Sequence, residues 1–226
     1  MEIAELKDRI EPVSAERLAS HGHASDAVRA WVRSVGINGP VVLVDTLPGR
    51  DIEAGIRCAD TIVDEGGAAV VVHLNEPLSD ISRAVVGLLC SVDATRVTPG
   101  ADTDLAWMQQ CARIRDLQTT CRSRLADAID IVDPEVAGMA AFLIALAARR
   151  TPVVLVGAFA HAAAVVAQRQ SLTAADWWRS GIAHRDPLIA AANERLRYDP
   201  WWSGIADVES EVINALMIGT LESASS

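Results

Sequence analysis

Three short stretches of unbroken apolar character organise this chain. They are residues 40–46 (PVVLVDT), 68–73 (AAVVVH) and 151–157 (TPVVLVG). Each is bounded by glycine or proline, and none alternates with polar residues, which is the pattern of a strand buried on both faces. Segments of helical period lie between and after them. Asp51 can cap a helix running to Glu65, with Ile52, Ile56, Ala59 and Val63 on one side and Gly66-Gly67 ending it. Further helices are predicted over 77–90, 105–127, 133–149, 159–168, 173–182, 187–197 and 207–221. Residues 1–35 also read as helical, broken near His21-Gly22-His23. Strands alternating with helices at this rhythm predict a three-layer α/β/α fold, a parallel doubly wound sheet joined by right-handed crossovers. The expected organisation is a helical N-terminal segment, 1–38, and a single α/β domain, 39–226. There is no internal repeat and no long linker.

Composition narrows the function classes. The chain has 226 residues, half of them hydrophobic, and a formal net charge of −10. One lysine, Lys7, stands against nineteen arginines. An acidic chain without clustered cations is a poor nucleic-acid binder, so no nucleic-acid partner is expected. The four cysteines form no CxxC pair, and His21-x-His23 has no further ligands nearby, so no metal is expected. The apolar run 136–148 is too short to span a bilayer. The N-terminal MEIAELKDRIEP lacks the basic-then-apolar order of a signal peptide. The expectation is a cytoplasmic protein with no membrane association.

Open parallel sheets bind ligands beyond the carboxyl ends of their strands. Those ends nominate Asp45, His73, Asn75, Glu76 and the turn at Gly157. The competing reading is that an acidic residue after a strand only caps the next helix. No GxGxxG, GxxxxGK or GxSxG motif is present. Trp177-Trp178 and Trp201-Trp202 read as packing pairs, one ring buried and the other half-exposed.

Residues 133–167 (DPEVAGMAAFLIALAARRTPVVLVGAFAHAAAVVA) closely resemble the helix–strand–helix segment of the nicotinate-nucleotide–dimethylbenzimidazole phosphoribosyltransferases. His184-Arg185, Asp199-Pro200 and Glu209 fall in the order and spacing of that family's C-terminal run, and residues 51–76 look like its helix before a central glycine-rich loop. The resemblance implies transfer of ribose phosphate from nicotinate mononucleotide to a benzimidazole-type base, with Glu209 as general base. It also implies substrate contacts at Asn75, Glu76, Gly157 and His184, no cofactor, and a homodimer or a partner subunit completing the site. The alternative is a catalytically degenerate relative that binds a small molecule or another protein.

Several positions depart from the family pattern. The stretch 74–80 (LNEPLSD) has no glycine, and 98–104 (TPGADTD) brings Asp102 and Asp104 toward a would-be phosphate. Gln109 and Gln110 stand where the family has a lysine, and Val208, Ser210 and Val212 flank Glu209 in place of glycines. A glycine-free loop cannot converge successive N–H groups on an anion. Nicotinate mononucleotide is therefore expected to bind weakly or not at all to this chain alone, and Arg83 and Arg96, though near enough in sequence to swing toward the site, are expected to lie on the surface.

Overall fold

A computed structural model describes residues 3–10, 24–74, 76–182, 185–202 and 210–225. In chain order the elements are α1 (Ile3–Lys7), α2 (Ala24–Val35), β1 (Val41–Val44), α3 (Ile52–Asp64), β2 (Ala69–His73), α4 (Asp80–Cys90) and α5 (Asp104–Cys121). There follow α6 (Ala128–Ile131), α7 (Pro134–Ala148), β3 (Val153–Val156), α8 (Ala158–Gln170), β4 (Trp178–Ser180), α9 (Pro187–Leu196) and α10 (Ser210–Ser225).

The three predicted strands pair in parallel. Val41 to Val44 register with Ala69 to Val72, and Val70 to His73 with Val153 to Val156. The sheet order is β1-β2-β3-β4. Alternate residues serve opposite layers, as the pleat requires. Val70, Val72, Val153 and Leu155 join Ile56, Phe142 and Val166 in the larger core, so the crossover helices α3, α7 and α8 pack on that face. Ala69, Val71, Val154 and Val156 meet Val28, Trp31 and Val32 of α2 and Ile213, Met217 and Leu221 of α10. The second face is thus covered by helices from the two ends of the sequence.

Helix α7 explains the long apolar run. Every residue from Val136 to Ala148 is buried, because the helix is wrapped by the sheet, α3, α8 and α1. A Cβ on Gly55 would come within 2.0 Å of the Gly138 carbonyl oxygen, so α3 and α7 meet backbone to backbone. No single helix among the described residues is long and apolar enough to cross a membrane.

One element differs from the sequence expectation. Residues 173–182 do not form a helix. A 3-10 turn, Thr173–Trp177, leads into β4, whose Trp178 and Ser180 register with Val153 and Leu155. The outer edge of β3 needs donors and acceptors, and pairing there overrides local helix propensity. Trp178 gains full burial by it. Trp177 is buried as well, whereas Trp201 and Trp202 show the expected division into one buried and one half-buried ring.

Candidate functional site

Helices α3, α4, α8 and α9 each begin where a strand ends, and their first turns gather along the carboxyl edge of the sheet. Three are closed by side chains. Asp51 accepts from the Ala54 N–H, Ser79 from Ser82, and Asp186 from Leu188. The fourth, α8, starts at Gly157 without a side-chain cap. Gly157 has φ +87°, and a Cβ there would lie 2.9 Å from the Leu74 carbonyl oxygen, so both backbone conformation and space require glycine.

The nominated residues divide as follows. His73, the last residue of β2, is only 6% exposed and points toward the α10 layer. Its Nδ1 donates to the Asn214 side-chain oxygen at 2.6 Å. Asp45 and Glu76 are exposed at the ends of β1 and β2. Asn75, His184 and Glu209 lie outside the described residues; α10 starts at the residue after Glu209.

Several partners escape a reading of the sequence. Fully buried His161 donates from Nδ1 to the Gly157 carbonyl at 2.7 Å and accepts at Nε2 from the Ser180 hydroxyl at 3.0 Å. That bridge holds the β3–α8 turn against the end of β4. The spacing of four residues from Gly157 to His161 was a visible signal; Ser180 was hidden because its strand reads as helix. Ser79 and Ser82 both donate to the Asp133 carboxylate, the latter at 2.7 Å, tying the starts of α4 and α7 together.

The stretch 74–80 is anchored by other chemistry than glycine. Partial burial pushes the Asp80 carboxyl upward, but hydrogen bonds from Arg113 and Gln110 outweigh it and hold the group below its ordinary value. Gln110, in the region where the family has lysine, donates to Asp80 at 2.9 Å. Arg83 departs from its expected surface position. It is 5% exposed, with its guanidinium bonded to both Asp186 oxygens at 3.2 and 2.8 Å and to the Val97 carbonyl at 2.7 Å. The helical turn places it under α9, where its charge is matched at once. Arg96 is exposed and pairs with Glu194, as expected of a surface residue.

Between α1, α3 and α7, Ile3, Asp51, Ile52, Glu53, Ile56, Pro134 and Ala137 line an open, mostly apolar cleft of about 680 Å³. No group of three or more His, Cys, Asp or Glu among the described residues could hold a metal ion.

Comparison with known proteins bears on this edge directly. The profile of a phosphoribosyltransferase family matches residues 49–205, which include β2, β3, β4 and every turn just described except the one leaving β1. The nicotinate-nucleotide–dimethylbenzimidazole phosphoribosyltransferase of Streptomyces avermitilis is 34% identical over 175 residues, 72% of this chain and 47% of that protein. Its counterpart in Streptomyces coelicolor is 32% identical over 174 residues, 72% and 49% respectively. The chain spans about half the length of these curated relatives. Among solved structures, CobT from Thermus thermophilus superposes with a TM-score of 0.64 at 17% identity, covering 77% of this chain and 54% of that one, a likeness of fold.

Proposed function

This chain belongs to the nicotinate-nucleotide–dimethylbenzimidazole phosphoribosyltransferase family, and from that premise we propose that it transfers ribose phosphate from nicotinate mononucleotide to a benzimidazole-type base. The observation that carries the reading is the family match across 49–205, which spans the carboxyl edge and the Gly157 turn. A ring nitrogen of the base attacks the ribose C1′. The bond to the pyridinium nitrogen breaks, its electron pair stays on the departing nicotinate, and the second ring nitrogen of the base gives up its proton. A pyridinium leaving group needs no acid, so one base suffices. Glu209 has that role by resemblance. A carboxylate beside an apolar aromatic pocket gains basicity from desolvation.

Asn75, Glu76, Gly157 and His184 are proposed as substrate contacts on the same ground. The requirement for glycine at position 157 supports its inclusion, since the backbone can approach a ligand closely there. A homodimer, a cytoplasmic location and the division at residue 38 belong to the same proposal. No step of the reaction calls for a metal or redox cofactor.

Release of nicotinate from the mononucleotide, followed chromatographically with and without dimethylbenzimidazole, tests the reading. Base-dependent release is expected, and Glu209→Gln lowers it on the order of 10²–10⁴-fold, the usual worth of a general base. Absence of release, with the base still bound, would leave a binding module and refute the transferase.

A further inference from the structure

Helix α8 buries an otherwise apolar run, residues 159–167, that carries a single polar side chain, His161. An imidazole with no exposure brings two ring nitrogens that each require a partner, whereas alanine or leucine would fill space without that demand. Both nitrogens are engaged. Nδ1 donates to the Gly157 carbonyl at 2.7 Å, and Nε2 accepts from the Ser180 hydroxyl at 3.0 Å. Ser180 is itself fixed in the sheet: it registers with Leu155, and its carbonyl accepts from the Trp201 N–H at 3.1 Å. The ring thus ties an anchored strand to the one of the four helix starts that lacks a side-chain cap. Gly157 needs such a hold. At φ +87° and ψ 163° it occupies a region open essentially to glycine alone, where no Cβ restrains its peptide. On its other side the turn rests against the Leu74 carbonyl oxygen, 2.9 Å from where a Cβ would stand.

Resting on the transferase reading, we propose that His161 is a positioning residue of that reaction, holding the Gly157–Ala158 peptide at the angle in which the turn meets the ribonucleotide. The Gly157 carbonyl also accepts the backbone N–H of His161, at 3.3 Å, which is long for such a bond. The side-chain bond to the same oxygen is the shorter one, so the imidazole sets where that oxygen points more than the helix does. Ser180 keeps the ring from rotating, and β4 thereby shapes the turn that follows β3. A trans peptide is planar, so fixing its carbonyl fixes the whole unit, including the backbone that a substrate contact at Gly157 uses. A loose turn would sample several orientations and bind from only one, and affinity falls by the fraction of time spent in it. His161 itself touches no substrate and acts through Gly157.

Base-dependent nicotinate release, measured over a range of mononucleotide concentrations, separates this role from packing. A packing defect lowers the folded fraction, so apparent kcat falls and KM stays; a misplaced turn raises KM and leaves kcat per folded chain. His161→Leu is expected to raise KM for nicotinate mononucleotide about three- to tenfold, the worth of one hydrogen bond. His161→Asn puts an amide nitrogen where Nδ1 stood and is expected to restore most of that loss. Ser180→Ala frees the far side of the ring and raises KM in the same direction, and it carries the test if His161→Leu does not fold. An unchanged KM in natively folded His161→Leu, or in Ser180→Ala where that variant does not fold, overturns the proposal. So does a loss in His161→Asn equal to that in His161→Leu. Calorimetric titration of the full chain with the mononucleotide keeps the two readings apart. Binding that weakens in His161→Leu, without release by the wild type, defeats the transferase reading and leaves the positioning role standing. Release whose KM ignores both substitutions defeats the positioning role alone. A wild type that neither binds the mononucleotide nor releases nicotinate overturns both.

Discussion

The ion pair between Arg83 and Asp186 offers the sharpest energetic test of how the carboxyl edge is held. The two side chains are 6% and 11% exposed and meet at 2.8 Å. Asp186 also caps α9 through the Leu188 N–H at 2.9 Å. Replacing Asp186 with serine keeps a capping oxygen but strands the buried guanidinium. Removing one member of a buried pair costs about 3–5 kcal/mol, because the survivor is left desolvated and unmatched. For a chain of this size each kcal/mol lowers Tm by about 2–4 °C, so Asp186→Ser is expected to lose roughly 6–20 °C. The double variant Arg83→Met, Asp186→Ser removes both charges and retains the volume, and recovers most of the loss. Urea unfolding, read as a shift in midpoint at constant slope, measures both. A single variant within about 1 kcal/mol of wild type would show that Arg83 reaches water. A double variant less stable than the single would show that the Val97 carbonyl, which also accepts from Arg83, matters more than the pair.

Two other consequences concern packing and pH. Gly55→Ala places a methyl 2.0 Å from the Gly138 carbonyl oxygen and 3.3 Å from the Phe142 nitrogen, so α3 and α7 must separate. A loss at or above about 3 kcal/mol is expected from such overpacking. Gly100→Ala, where a Cβ meets nothing within 4 Å, serves as the control and leaves the urea midpoint unchanged. Burial pushes the Cys90 thiol from 9.0 up to about 12. The folded chain therefore keeps a proton that the unfolded chain releases. This contribution is complete below pH 9 and is lost as pH rises from there toward 12. The difference in urea midpoint between wild type and Cys90→Ala should accordingly narrow between pH 8 and pH 11, and a constant difference would show the thiol to be hydrated.

The strands that sequence pattern revealed are those whose identity is written into their own residues. Val41–Val44, Ala69–His73 and Val153–Val156 are apolar on both faces, and that character survives any arrangement of neighbours. Trp178–Ser180 is different in kind. Its central residue is an arginine, whose guanidinium lies over the Trp31 and Tyr198 rings at 5.5 and 5.8 Å. It becomes a strand only because β3 has an unpaired edge. The second layer was partly hidden for the same reason. Helices were expected on both faces, but nothing in residues 24–35 announces that they cover the sheet beside a helix that begins at Ser210.

The candidate site follows the same division, and it bears on the family resemblance. His73 and Gly157 could be nominated because each ends a legible strand. Asn214, 141 residues from His73, and Asp186, 103 residues from Arg83, could not, because only the fold brings them near. Substitutions that look like simple losses when a loop is compared residue by residue can be replacements once the edge is seen whole. At the start of α4 the family's glycines are gone, and the helix is closed by Ser79, itself held by Asp133. At the start of α8 the glycine remains, and the turn is held by His161, which bonds the Gly157 carbonyl. The absence of glycine in 74–80 is thus matched by side-chain closure at Ser79 and Asp80, while the glycine that backbone conformation requires is kept at position 157.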